Sequence, residues 1–207
     1  IPFLLKKKIR IILAIRNSMD QFNEKIIRKI AASVFLVLLA PFLYRIIVNS
    51  HELTKEFPFS LTPNCVPVIN PRFDVLENRF TKEEFNEPPK KIIFVGRWAK
   101  QKGIEFLDEI DAICRENGFT FEAYCNESNK PYQNKYIQDI ISFYSSNNVA
   151  LIFCSLFEGY PNILVEARAM GVPILYSHCK SGTREILSGY KAGIEFNKNR
   201  LQTLHQA

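Results

Sequence analysis

Two carboxylates with seven residues between them, Glu158 and Glu166, flank a turn that opens a helix. Ahead of them Val149-Ala150-Leu151-Ile152-Phe153-Cys154 has the length and β-rich composition of a buried strand. Asn162 is placed to cap the helix, Gly171 to end it, and Pro173 to forbid its continuation. A strand, loop and helix in that order set unpaired backbone N–H groups, and the positive end of a helix dipole, at the carboxyl edge of a sheet. Open α/β sheets bind phosphorylated ligands at that edge. Glu158 falls in the loop mouth and Glu166 about one turn into the helix, so both can face one bound molecule. By itself such a pair is more often two surface glutamates around a helix start.

A second constellation changes that balance. Gly96-Arg97 ends an apolar strand, and Lys102-Gly103 opens the helix that follows. Fixed cations suit a reaction whose leaving group gains negative charge, because they stabilise the transition state more than the ground state. Arg97 offers a planar fork for two oxygens and Lys102 a point charge. Taken without the glutamates, an Arg and a Lys on such a loop are usually solvated.

The string Ser155, Glu158, Gly159, Pro161, Asn162, Leu164, Glu166, Ala167, Gly171 and Pro173 resembles the donor-binding signature of retaining GT-B glycosyltransferases, in particular the family 4 group. The resemblance is strong over 91–196 and weak before it. Its implied fold is α/β of GT-B type: a Rossmann-like parallel-sheet donor domain at 91–207, a linker at 74–90, and the end of a second Rossmann-like acceptor-side domain at 1–73. Its implied activity is retaining transfer of a hexose or N-acetylhexosamine from a nucleotide-diphosphate sugar, UDP-sugar foremost, to a glycan or lipid-linked saccharide. Arg97, Lys102 and Glu158 take the catalytic roles. Gly96, Gly159, Tyr160, Pro161, Asn162, Ile163, Leu164 and Glu166 bind the donor, with Glu166 on the ribose and the Ile163 and Leu164 N–H groups on the phosphates. No metal and no cofactor besides the nucleotide sugar are implied. A glycosidase pair would not call for the phosphate cradle. The alternative is an inactive fragment, or a degenerate relative that binds nucleotide sugar without transferring it.

Two departures bear on specificity. Asn126-Glu127-Ser128-Asn129 replaces a glycine-rich turn expected near the base, and Ser181-Gly182-Thr183-Arg184-Glu185 carries Thr183 where the family usually has proline. Glu185 reads equally as a functional group and as a first-turn charge on its own helix.

The chain has 207 residues, 47% of them apolar, and a formal net charge of +6, with Lys6, Lys7, Lys8, Arg10, Arg16, Lys25, Arg28 and Lys29 crowding its first third. No nucleic-acid motif accompanies that charge; solvated surface and peripheral membrane contact remain its two readings. Five cysteines without C-x-x-C spacing fit reduced cytosolic thiols, and three isolated histidines make no metal set. The expected location is cytoplasmic, with the membrane's cytoplasmic face as the alternative. Neither chain end reads as natural, so a fragment of a longer protein is expected.

Ala31–Tyr44 is the one apolar stretch long enough to question. Pro41 and Arg45 interrupt it, and a span needs about twenty apolar residues. A buried helix ending near Pro41, then a strand at Arg45–Val48, is expected. Other expected strands are 10–15, 65–69, 92–95, 119–125, 149–154, 173–176 and 192–196. Expected helices lie at 52–56 after a Ser50 cap, 104–116, 133–143, 163–170 and 182–187.

Overall fold

The computed structural model describes residues 10–17, 26–57, 61–69, 87–126, 130–179, 182–198 and 200–201. The expected linker falls mostly outside these residues, as do Lys6–Lys8 and Lys25 of the basic cluster.

Two parallel sheets organise the described chain. The first holds β1 (Ile11–Ile15), β2 (Leu43–Val48) and β3 (Cys65–Pro67) in sequential order. Helix α1 (Ile26–Leu39) and a 3-10 turn at Ala40–Phe42 connect β1 to β2, and α2 (His51–Thr54) follows β2. Ser50 caps α2 as expected, its Oγ accepting from the Leu53 N–H at 3.1 Å. Its core gathers Leu36, Leu43, Ile46, Val48, Leu53, Phe57 and Leu61. Of the α1 side chains described, only Leu36 belongs to that buried set, and Ile27, Ile30, Val34, Phe35, Val37 and Leu38 are exposed. The expected buried helix is therefore a surface helix: one face meets the sheet, and its apolar composition continues around the other. Among the described residues no helix is long and apolar enough to cross a membrane.

The second sheet has six parallel strands in the order β6-β5-β4-β7-β8-β9. These are β4 (Lys91–Val95), β5 (Thr120–Tyr124), β6 (Gln133–Asn134), β7 (Val149–Phe153), β8 (Ile174–Ser177) and β9 (Gly193–Phe196). Their helices are α3 (Leu107–Glu116), α4 (Ile140–Ser146), α5 (Asn162–Ala169) and α6 (Thr183–Leu187). The chain steps one way from β4 to β5 and the other way from β7 to β9. Right-handed crossovers must then place α3 and α5 on opposite faces. The core shows it: Leu107, Ile110 and Cys114 of α3 pack with Ile92, Phe121 and Ile152, while Leu164, Val165 and Ala167 of α5 pack with Ile93, Leu151 and Phe153. All five residues of β7 are buried, as its unbroken apolar run requires of a central strand.

One expected helix is corrected. Residues 133–143 do not form it; Gln133–Asn134 pairs with Ala123–Tyr124 as the edge strand, and the helix starts only at Ile140. Asp139 decides the start, accepting from the Ile141 and Ser142 N–H groups at 3.1 Å each. Residues 135–139 are left as a connection over the carboxyl side of β5.

Candidate functional site

The strand order reverses between β4 and β7, and ligands of open α/β sheets bind at the carboxyl ends of the strands where that happens. The turn after β4 carries Gly96-Arg97; the loop after β7 carries Ser155 to Tyr160. The two sequence constellations thus meet at one crevice because β4 and β7 are neighbours.

Lys102 is brought there by a 3-10 turn, Lys100–Lys102, closed by Gly103 in the left-handed region at φ 74°. A Cβ on Gly103 would stand 2.2 Å from the Cys154 carbonyl oxygen, so the turn lies flat against the end of β7. Burial pushes the Cys154 thiol up to about 12. It stays protonated against the Lys102 and Gly103 carbonyls, at 3.4 and 3.6 Å, and fixes the turn rather than reacting.

Glu158 is 7% exposed. Its Oε1 meets Lys102 Nζ at 2.6 Å and accepts from Ser155 Oγ at 3.0 Å, while Gln101 Nε2 lies 3.5 Å from Oε2. Lys102 and Glu158 therefore form an ion pair in the floor of the crevice, which removes much of the cost of burying either charge. Arg97 stands exposed at its rim.

Helix α5 begins at its proposed cap, one residue earlier than expected. Pro161 holds the N-cap position and Asn162 is the first helical residue, so Asn162 is not the cap. The helix does end at Gly171, at φ 65°, where the Gly171 and Val172 N–H groups bond back to the Arg168 and Ala167 carbonyls. Of the two amides expected on phosphate, the Leu164 N–H is bonded to the Pro161 carbonyl at 3.1 Å, and the Leu164 side chain is fully buried in the core. Ile163 remains at the crevice. Glu166, 6% exposed, lines it from the same helix.

Two cavities open from this floor. One of about 530 Å3 is lined by Gly96, Arg97, Lys102, Glu158, Tyr160, Pro161, Asn162, Ile163 and Glu166, together with Tyr136, Ile137 and Gln138. The other, about 470 Å3, lies between the two sheets; Arg16, Asn17, Asn49 and Ile69 form its far wall and Glu158, Gly159, Tyr160 and Asn162 its near wall. Glu158, Tyr160 and Asn162 are shared. Both volumes fall within the range of small-molecule sites, about 300–1,000 Å3. Gly159 faces the second cavity: its Cβ would come within 1.6 Å of the Arg16 carbonyl oxygen, which also accepts from Asn49 Nδ2 at 3.0 Å. Among the described residues no cluster of His, Cys, Asp and Glu could hold a metal.

Sequence reasoning missed Tyr136, Ile137 and Gln138, which it had placed inside a helix; the Asp139 cap was the signal that would have freed them. It left Glu185 undecided. Both carboxylate oxygens of Glu185 accept from the His51 N–H at 3.0 Å, so it reaches the first residue of α2 instead of serving its own helix.

Two parallel-sheet α/β units, a cation-bearing turn at the switch point and a cleft between the sheets define a GT-B glycosyltransferase fold. TarM from S. aureus superimposes with a TM-score of 0.74 at 14% identity, over 97% of this chain and 43% of its own. Anabaena HepE, solved with UDP and glucose, gives 0.70 at 13% identity over 98% of this chain and 62% of its own. The profile of the family described as Glycosyl transferases group 1 matches residues 89–207, and the chain belongs to that family. An uncharacterized glycosyltransferase of Methanocaldococcus jannaschii is 27% identical over 234 aligned positions, covering 90% of this chain. The chain spans about half of that relative's length, 54%.

Proposed function

We propose that the protein this chain represents is a retaining glycosyltransferase of the family 4 type, using a nucleotide-diphosphate sugar, UDP-sugar foremost, and a glycan or lipid-linked saccharide acceptor. The observation that carries the reading is the shared wall. Glu158, Tyr160 and Asn162 separate a cavity bearing Arg97, Lys102 and Glu166 from one whose far wall belongs to the other sheet. A donor in the first would present its sugar to an acceptor in the second across that wall.

In this reading Glu166 accepts from the ribose hydroxyls, and Tyr136–Gln138 face the base end. The Ile163 N–H, Arg97 and Lys102 meet the diphosphate, and Glu158 meets a hydroxyl of the transferred sugar. The bond from the anomeric carbon to the phosphate oxygen breaks while the acceptor oxygen bonds to the same face of that carbon. The acceptor's proton passes to the departing phosphate oxygen, and a nucleoside diphosphate leaves. Arg97 and Lys102 stabilise that charge as it grows. The Lys102–Glu158 pair supplies the preorganisation, because neither side chain must leave bulk water when donor arrives.

The test is thermal unfolding with UDP-, GDP- and ADP-sugars, followed by transfer of labelled sugar from the stabilising donor. Binding raises apparent stability by mass action. Stabilisation without release of nucleoside diphosphate, to water or acceptor, would favour the binding-only alternative; no stabilisation by any of them would end the proposal.

A further inference from the structure

We propose that Gln101 is a positioning residue: its amide fixes the loop after β7 and aims one oxygen of Glu158 into the cavity of about 530 Å3. Three consecutive residues of that loop meet this one residue. The Gln101 carbonyl accepts from the Leu156 N–H at 2.8 Å. Its side-chain Nε2 donates to the Phe157 carbonyl at 3.2 Å and lies 3.5 Å from Glu158 Oε2. Both of those side-chain neighbours only accept, so the nitrogen end of the amide must face them, and its two N–H groups match the two acceptors. Gln101 is itself held by the 3-10 turn Lys100–Lys102, which Gly103 closes flat against the end of β7.

The two carboxylate oxygens of Glu158 are unequally occupied. Oε1 takes Lys102 Nζ at 2.6 Å and Ser155 Oγ at 3.0 Å, which fills its two lone pairs. Among the described residues Oε2 has the Gln101 amide, at the long end of hydrogen bonding, so it keeps the capacity to accept from a hydroxyl. Bonds to Oε1 do not by themselves set where Oε2 points, because the terminal torsion of a glutamate is broad. A second point of attachment is needed, and the Gln101 nitrogen beside Oε2 supplies it. The Phe157 carbonyl anchors that nitrogen, so backbone sets the direction of Oε2. Gln101 lines neither of the two cavities while Glu158 lines both, so whatever Gln101 does for a ligand passes through the glutamate. Only the purpose, holding Oε2 for a hydroxyl of the transferred sugar, rests on the transfer reading above.

The experiment compares full-length wild type with Gln101→Met, which keeps the length of the side chain and removes its N–H donors. Each is titrated with UDP and with UDP-glucose, UDP-galactose and UDP-N-acetylglucosamine. Amide hydrogen exchange over Ser155–Gly159 is followed in the ligand-free proteins. Thermal unfolding checks that the variant folds, and Gln101→Ala repeats the measurements if the thioether does not fit. Gln101→Met should bind UDP as wild type does. It should lose about tenfold in affinity for the sugar nucleotide that wild type binds best, the order of one hydrogen bond to a charged group. Exchange over Ser155–Gly159 should quicken while β7 stays protected. In a Glu158→Gln background the same substitution should cost nothing further in sugar-nucleotide affinity. Equal losses for UDP and sugar nucleotide would make Gln101 a plain structural contact and overturn the inference. So would unchanged sugar-nucleotide affinity, additive losses in the double variant, or unchanged exchange. If wild type binds none of the sugar nucleotides, the transfer reading falls and the exchange result alone decides whether Gln101 holds the loop.

Discussion

At the scale of residues, the proposed chemistry rests on four side chains with unlike surroundings. Arg97 is exposed and Lys102 is paired, so their removal should differ. Arg97→Ala should lower kcat with little effect on stability, because a surface cation contributes little to the fold but grows in value as the leaving diphosphate gains charge. Steady-state kinetics on the full-length enzyme decide; a rise in KM at unchanged kcat would make Arg97 a ground-state contact only. Lys102→Ala should lower kcat and also destabilise by about 1–3 kcal/mol, since Glu158 is left buried without its cation. Pairing Lys102→Ala with Glu158→Gln should recover stability but not turnover. Glu166→Ala should weaken nucleoside diphosphate binding about tenfold to a hundredfold through the loss of a charged acceptor. A titration with UDP reads it, and unchanged affinity would remove Glu166 from the site.

At the scale of elements, the site depends on how strand ends and helix starts are finished. Gly103 holds a left-handed turn against the end of β7, so Gly103→Ala combines backbone strain of about 1–3 kcal/mol with a clash against backbone that cannot rotate away. It should lower the melting temperature and displace Lys102, losing activity beyond what the lost stability explains. Asp139 starts α4 and so sets where the connection carrying Tyr136, Ile137 and Gln138 ends. Asp139→Ala should cost about 1 kcal/mol as a lost cap. If that connection does face the base, the variant should also blur discrimination between UDP and GDP. Equal discrimination in variant and wild type would separate the connection from the base.

At the scale of the whole molecule, specific contacts among the described residues join the two sheets. Gly159 lies against the Arg16 carbonyl, and Glu185, near the loop after β7, accepts from the first amide of α2. The Gly182 N–H bonds the Gly159 carbonyl at 3.1 Å, tying the segment that carries Glu185 to the loop after β7. Glu185→Ala should let the sheets separate: small-angle scattering should show a larger radius of gyration, and acceptor KM should rise more than donor KM. Gly159→Ala should act in the same direction, its new methyl having no room at 1.6 Å from the Arg16 oxygen. Unchanged scattering for both variants would show that neither contact holds the cleft.

Much of this was legible in the order of residues. The alternation of apolar runs with amphipathic stretches is local, and it foretold five of the six strands of the second sheet, with α5 and α6, to within a residue; α3 starts three residues later than expected, α4 is displaced, and β6 was not foreseen. The meeting of Glu158, Glu166, Gly96, Arg97 and Lys102 at one cavity was legible because their spacing ties them to strand ends, and a parallel sheet gathers strand ends at one edge. What the sequence left open was what depends on distant partners. It did not disclose that Lys102 pairs with Glu158, 56 residues on, or that Glu185 reaches across to His51, 134 residues away. It could not tell that Leu164 serves the core, since a first-turn residue faces ligand or core according to helix rotation on the sheet. It read α1 as buried because composition records how apolar a helix is, while packing alone decides how many of its faces find a partner.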